Sequence, residues 1–364
     1  MRFLLFPFAI LYGIAVRLRH FLYDRGWLHS KQYPFPTLCV GNLAVGGTGK
    51  TPMVEYLVRL WGEEQVAILS RGYRRKTKGF VLADASSTAL TLGDEPFQYH
   101  RKFPMATVAV CESRQEGIER LLQNPHFRVI LLDDAFQHRK VQAGLNLLLT
   151  SYDKLYTKDF LLPVGSLRDI RSRARKTQII LVTKCPELSE EAQQKIIQQL
   201  HPLPHQQVFF TRIAYATKVC RDGESLPLED FLSAPFTLVT GIAKPTPLVT
   251  FLQSKGAHFT HLSYGDHHHF STKEIAFLSQ QGRLLTTEKD YVRLGFALPQ
   301  LYYLPIETQF LNEKGKDMFD KIVLSFEYSL SPYKNMIIKG VETIVSPYSS
   351  RNNKLSIRKL VNNI

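Results

Sequence analysis

Cysteine is scarce in this chain: four among 364 residues, at positions 39, 111, 185 and 220, with no Cys-x-x-Cys pair. That spacing argues against a disulfide scaffold or a zinc ribbon and suits a reducing cytoplasm. Acidic residues are also short, 32 against 46 Lys and Arg, for a net charge of +14. No apolar run reaches the roughly 20 residues of a bilayer span. The N-terminal one, Phe3 to Val16, covers 14 residues. Arg17, Arg19 and His20 follow it where a cleavage site would need small residues, which argues against a signal peptide. No repeat recurs at a fixed period.

What is present describes a folded protein, 44% hydrophobic and 21% charged, long enough for two domains with separate cores. The positive balance favours an anionic partner: nucleic acid, an anionic membrane or a phosphorylated substrate. The N-terminal segment has two readings, a helix buried against the domain or a segment lying in a membrane interface. The second is favoured by the interfacial aromatics Tyr12, Tyr23 and Trp27 and by Arg17, Arg19 and Arg25 at headgroup level.

Short apolar runs alternate with helical patterns through the first two hundred residues. "PTLCVGNL", "QVAILS", "FRVILLDD", "NLLLTS" and "QIILVTK" read as strands, and "TPMVEYLVRLWGEE" reads as a helix with Pro52 in its first turn. This rhythm predicts an α/β fold: a P-loop NTPase-type parallel sheet domain over residues 1–210, including the N-terminal segment. A second, smaller α/β domain is expected over 211–330, from "PFTLVTGIAKPTPLVTFLQSKG", "HFTHLSYGDHHHFSTKEIAFLSQQG" and "RLLTTEKDYVRL". "QQVFFTRIAYATKV" between them reads as an extended connector. Residues 331–364 carry six basic groups and one acid among many Asn and Ser, a basic tail whose composition suits disorder.

"AVGGTGKTP", 44–52, follows a strand and opens a helix, the setting of a phosphate loop. Gly46, Gly47, Thr48 and Gly49 supply main-chain N–H groups, Lys50 reaches the β- and γ-phosphates, and Thr51 holds Mg²⁺. The strict pattern has glycine where Ala44 stands, so the backbone there must be reachable with a Cβ. "VILLDDAFQHR", 129–139, ends an apolar strand in Asp133 and Asp134, candidate carboxylates for Mg²⁺. Neighbours on a strand face opposite ways, so both ligate only if the backbone turns there.

The strings "VGNLAVGGTGKTP", "SRGYRRK" (70–76), "GDEP" (93–96), "DDAFQHR", "LLPVGSLRD" (161–169), "VTK" (182–184), "GDHHHF" (265–270) and "TTEKD" (286–290) resemble, in this order over roughly residues 1–330, the tetraacyldisaccharide 4′-kinases, the lipid A 4′-kinase family. The resemblance implies an ATP- and Mg²⁺-dependent kinase, peripheral on the cytoplasmic face of the inner membrane of a Gram-negative bacterium. It would phosphorylate the 4′-hydroxyl of tetraacyldisaccharide 1-phosphate, giving lipid IVA. It implies two α/β domains with the active site in the cleft between them. Asp94 then becomes the base that takes the hydroxyl proton, oriented by His267 or His268, with Lys50 and Mg²⁺ meeting the transferred phosphoryl charge. Arg71, Arg168 and Asp169 become candidate substrate contacts, the two arginines being preferred within the basic stretches 71–76 and 168–176 because each lies in a matched motif. Asp169 stands where the family has Glu, and Ala135 where it has Gly.

A rival reading is a P-loop switch or partition-type ATPase with a protein or DNA partner. Val45 lacks the extra lysine of the partition class, and "TTEKD" lacks the Asn of a guanine-specificity motif. A nucleic-acid-binding protein without catalysis rests on charge alone. No nucleic-acid partner is expected; a monomer is.

Overall fold

The computed structural model describes residues 2–330; the expected basic tail, 331–364, lies outside them. Nine strands form one sheet, in the order 306–310, 207–215, 179–183, 145–151, 37–42, 129–133, 66–70, 107–110 and 81–82. Only its two edge strands run antiparallel to their neighbours. The strands 37–42, 66–70, 129–133 and 179–183 are buried along their whole length, the signature of a parallel sheet covered on both faces. Side chains alternate between two cores: Leu38, Val40, Ile68 and Leu131 face one, Cys39, Leu69, Ile130 and Leu132 the other. The helix Lys50–Trp61 fills the first core with Met53, Val54, Leu57 and Val58. The helices Arg114–Leu121 and Glu190–Leu200 fill the second.

The strand Thr37–Asn42 has Val129–Asp133 on one side and Leu145–Ser151 on the other. The chain first builds the sheet to one side of Thr37–Asn42 and later to the other. The crevice beyond the carboxyl ends of such a switch point is where α/β sheets bind ligands.

A second sheet of six strands follows, in the order 224–227, 218–221, 301–304, 284–287, 236–240 and 259–263. The helices Thr246–Ser254, Thr272–Ser279 and Glu288–Leu294 belong to it. Two expectations are corrected here. Residues 207–215 are a strand of the first sheet rather than a connector, because Phe209 and Phe210 bury on its two opposite faces. The division near 210 therefore cuts through a strand. Residues 306–330 also return to the first sheet, where Ile306–Phe310 pairs with Thr211–Tyr215 and the Glu313–Leu330 helix buries Phe319 and Val323.

Lys102 ties the two sheets' helices together. Its Nζ lies 2.6 Å from Glu55 and 2.6 Å from Glu288, two acids almost fully buried. Burial and the charge of Glu55 push the Glu288 carboxyl upward.

The helix Phe6–Asp24 packs on the first sheet's loops by its small residues. Ala9 and Gly13 are buried, and a Cβ on Gly13 would come within 3.0 Å of Leu161. Its other side leaves Phe8, Leu11, Ile14, Leu18 and Phe21 exposed. Among the described residues no helix is long and apolar enough to cross a membrane.

Candidate active site

The phosphate loop leaves the carboxyl end of the Thr37–Asn42 strand. Gly46 (φ +105°) and Gly49 (φ +83°) take the left-handed angles that the tight turn demands. Ala44 does not: it pairs with Leu167 in an extended bridge, with the Val45 N–H donating to the Ser166 carbonyl at 2.8 Å. A Cβ is harmless there, which explains why this chain tolerates alanine. Gly46 and Gly47 are exposed, leaving their N–H groups open to a ligand. The loop is braced from behind. Thr183 donates to the Thr48 carbonyl at 2.8 Å, Lys184 to the Gly47 carbonyl at 2.6 Å, and Asn42 Nδ2 to Thr48 Oγ1 at 2.8 Å. The "VTK" string thus pins the loop.

The Val129–Asp133 strand delivers its two acids to the same place. The backbone turns at Asp134, whose φ of +47° is left-handed, so the two carboxylates do not diverge as strand neighbours would. The turn falls on Asp134 and not on Ala135, so a side chain at 135 costs nothing. Asp134 lies 3.6 Å from Lys50 Nζ and accepts from both terminal nitrogens of Arg168, which also donates to Asn42 Oδ1 at 2.6 Å. Burial alone would raise the Asp134 carboxyl, but Lys50 and Arg168 outweigh it and hold it below the usual range.

Asp133 is in the opposite state. It is 2% exposed, and its carboxylate accepts from Ser70 Oγ at 3.2 Å. Burial raises its pKa, and Glu95 and Asp134 raise it further, against partial relief from Lys50 and Arg114. This carboxyl is short of positive charge, as a divalent-cation site should be before the cation arrives. Thr51, in the first turn of the Lys50–Trp61 helix, completes a donor set of hard oxygens suited to Mg²⁺. Among the described residues, no cluster of three or more His, Cys, Asp or Glu could hold an ion unaided, so nucleotide oxygens or water must share the coordination.

The "GDEP" turn and "SRGYRRK" loop pack back to back. A Cβ on Gly93 would fall 2.9 Å from the Tyr73 carbonyl, and one on Gly72 would fall 2.8 Å from the Leu92 carbonyl. This seating puts Asp94 at the start of the Asp94–Lys102 helix, facing the second sheet. There His267 Nδ1 meets Asp94 Oδ2 at 3.1 Å, and Lys289 Nζ meets His267 Nε2 at 3.0 Å. An ammonium only donates, so Nε2 accepts and Nδ1 carries the hydrogen that it gives to Asp94. Arg293 Nε stands 3.9 Å from the same carboxylate.

The structure brings Asp94 and His267 together, and separately Lys50, Thr51, Asp133 and Asp134. It does not bring His268 to Asp94: that ring bonds Glu274 at 3.0 Å and stacks on Tyr264. Asp169 is also elsewhere. It is 1% exposed, with Oδ1 held by His20 Nε2 at 2.6 Å, a link between the N-terminal helix and this loop rather than a surface for substrate. Arg168 is spent on Asp134 and Asn42. Arg71 is exposed, and its charge acts on Arg114 and His138. Arg75 braces Glu112 and the Gly79 carbonyl.

Sequence reasoning missed Asn42, Ser70, Glu95, Arg114 and Lys289. Arg114, 1% exposed, donates to the carbonyls of Cys111 (2.8 Å) and Asp133 (3.0 Å) and so fixes the strand end that carries the acids. Asn42, Ser70, Glu95 and Lys289 lie inside the quoted strings "VGNLAVGGTGKTP", "SRGYRRK", "GDEP" and "TTEKD"; nothing local marks Arg114.

A phosphate loop at the switch point with a buried carboxylate beside it, and a His-backed carboxylate at the start of a neighbouring helix, fit a P-loop phosphotransferase. The family described as tetraacyldisaccharide-1-P 4′-kinase matches residues 1–324. A tetraacyldisaccharide 4′-kinase of Flavobacterium johnsoniae is 48% identical over 334 residues, covering 90% of this chain and 97% of that one. One from Bacteroides thetaiotaomicron is 41% identical over 351 residues, covering 88% and 92%. Among solved structures, the "apo" form of LpxK from Aquifex aeolicus in complex with ATP superposes with a TM-score of 0.74 at 28% identity, covering 90% of this chain and 99% of that one. The chain belongs to the tetraacyldisaccharide 4′-kinase family.

Proposed function

We infer that this chain carries the γ-phosphate of ATP to the 4′-hydroxyl of a tetraacyldisaccharide 1-phosphate, the step of lipid A biosynthesis that forms lipid IVA, with Asp94 as the base. One observation supports the assignment of roles: Asp94 bonds His267 of the second sheet, while its neighbour Glu95 acts electrostatically on Asp133 beside the phosphate loop.

The loop N–H groups of residues 46–51 and Lys50 grip the triphosphate. Thr51 and Asp133 would hold Mg²⁺, which would supply positive charge against the negative charge of the phosphates. Arg168 fixes Asp134 so that Lys50 is shared between that acid and the nucleotide. His267, its tautomer set by Lys289, donates Nδ1–H to Asp94 Oδ2 and leaves Oδ1 to accept the sugar proton. As the sugar oxygen bonds to phosphorus, the bond to the bridging oxygen breaks and its electron pair leaves on ADP.

The acceptor is a lipid, and the N-terminal helix suits a membrane surface. Its exposed Phe8, Leu11, Ile14, Leu18 and Phe21, with Trp27 just beyond, form an apolar side with Arg17, Arg19 and Arg25 near it. Apolar contact and basic charge together give the two signals that stable peripheral attachment needs. We assign the enzyme to the cytoplasmic face of the inner membrane on that basis.

The test is direct transfer. Full-length protein with γ-labelled ATP, Mg²⁺ and tetraacyldisaccharide 1-phosphate in detergent should yield labelled lipid. No label, under conditions where a working member of the family gives it, would overturn the assignment.

A further inference from the structure

Three helices meet at one ammonium group, and each carries part of the site. Lys102 Nζ lies 2.6 Å from Glu55 Oε2 and 2.6 Å from Glu288 Oε1. Glu55 belongs to the Lys50–Trp61 helix, which opens with Lys50 and Thr51. Lys102 ends the Asp94–Lys102 helix, which opens with Asp94. Glu288 opens the Glu288–Leu294 helix, whose Lys289 meets His267 Nε2 at 3.0 Å and whose Arg293 stands 3.9 Å from Asp94. Gln98, on the same helix as Lys102, donates to Glu55 Oε1 at 2.8 Å.

One cation serves two buried acids here. Arg59 helps from 3.5 Å away on Glu55, but it is shared with Glu307. Glu288 Oε2 is buried with no hydrogen-bond partner among the described residues. Burial and then the charge of Glu55 push the Glu288 carboxyl upward, against relief from Lys102 and Arg59. Packing does not fix the junction by itself. A cavity of about 80 Å³ lies beside it, lined by Gln98, Lys102, Glu288, Tyr291, Val292 and Tyr303. Near its start the Asp94–Lys102 helix is held by apolar contact, where Phe97 and Leu92 cluster with Val292. A rod held at one point pivots, and a second contact sets its tilt. Arg101 pairs with Asp222, but that carboxylate is 56% exposed and water screens it. Lys102 is the sheltered second contact. A buried ion pair gains little net stability over neutral groups of the same shape, so stability alone does not account for it.

We propose that Lys102 is a positioning residue for phosphoryl transfer: by holding Glu55 and Glu288 together, it sets the tilt of the helix that begins at Asp94 relative to the phosphate loop. This role rests on the reading of Asp94 as the base. Lys102 lies about 12 Å along the helix from Asp94, so it acts through that residue and not on the reacting atoms. A displacement of about 1 Å at a reacting group can cost about 10²-fold in rate. Nucleotide binding is insulated from such a tilt, because the phosphate loop is braced separately by Asn42, Thr183 and Lys184.

The test compares full-length wild type with K102M/E288Q and K102R. K102M/E288Q removes one charge of each sign and leaves Glu55 to Gln98 and Arg59. Transfer is measured well below each melting temperature, and the Kd for ATP by calorimetry. The expected result for K102M/E288Q is a fall of tenfold or more in kcat with the Kd for ATP unchanged. K102R, which still reaches both acids, should keep most of the rate. Placed on Asp94→Asn, the same double change should lower the residual rate less than twofold, since no base is left to misplace. Wild-type kcat in K102M/E288Q overturns the role of Lys102, as does an equal fall in both backgrounds. If K102M/E288Q melts well below wild type, E55Q/K102M/E288Q, which leaves no buried charge unpaired, is read the same way. Wild-type turnover in Asp94→Asn alone, or no transfer by wild type, sinks the underlying reading and this role with it, an outcome distinct from the failure of Lys102.

Discussion

His267 Nδ1 lies 3.1 Å from Asp94 Oδ2, and this contact joins the second sheet to the "GDEP" turn of the first. In the proposed roles, the base and its orienting group arrive from different layers. Asp94→Asn should cost about 10²–10⁴-fold in kcat with the Kd for ATP unchanged, read by single-turnover transfer and by calorimetry. His267→Gln should lose less, since Asp94 stays ionised but is no longer oriented. Wild-type turnover in the Asn variant would remove Asp94 from the base role.

Lys289 makes a separable prediction. Lys289→Met frees Nε2 to take the hydrogen, so the ring no longer reliably donates from Nδ1 to Asp94. The expected result is about a tenfold fall in kcat, an altered pH–rate profile and little change in KM for ATP, with Lys289→Arg restoring most of the rate. A rise in KM for ATP with kcat kept would make Lys289 a nucleotide contact instead.

Asp133 predicts opposite effects on stability and activity. Its folded pKa is raised above the unfolded value, chiefly by burial, so the folded protein holds the proton more tightly. Its contribution is therefore fully present below the unfolded value near 3.8 and is lost as pH rises through the raised folded value. Asp133→Asn should raise the melting temperature of metal-free protein at pH 8 more than at pH 4, while abolishing Mg²⁺-dependent transfer. In wild type, Mg²⁺ binding should release protons and tighten as pH rises, seen by calorimetry in buffers of different ionisation enthalpy. A lower melting temperature for Asp133→Asn at pH 8 would contradict the charge shortage argued for this site.

How much of this was legible beforehand differs by residue. Strand, loop and helix around Lys50 were legible because their signals are local: an apolar run, glycines at the turn, helical spacing after it. The 207–215 strand was misread because its pairing partners, 179–183 and 306–310, lie far away in sequence. The return of residues 306–330 to the first sheet was missed for the same reason. Three adjacent histidines gave no means of choosing, and only the left-handed backbone at His267 (φ +57°) points that ring at Asp94. Asp169 read as a site residue because it ends the matched string "LLPVGSLRD"; its burial depends on His20, about 150 residues upstream.

The N-terminal helix works with both its sides, and that changes how its membrane role must be tested. Removing residues 1–20 would delete His20 and leave the Asp169 carboxylate buried without its partner, and would also cut the Tyr12 hydroxyl from the Arg168 carbonyl, which it meets at 2.8 Å. Losing one member of such a buried pair costs about 3 kcal/mol, so a truncated enzyme that left the membrane would have lost its loop geometry too. His20→Ala alone should therefore lower the melting temperature and weaken transfer even in detergent. Leu11→Gln, Ile14→Gln and Leu18→Gln together touch only side chains 64%, 55% and 57% exposed. That triple variant should melt like wild type, transfer phosphate in mixed micelles, and fail to float with phosphatidylglycerol vesicles. Flotation at the wild-type level would place the attachment on another surface, whereas joint loss of stability and flotation would mean that this side of the helix packs against protein.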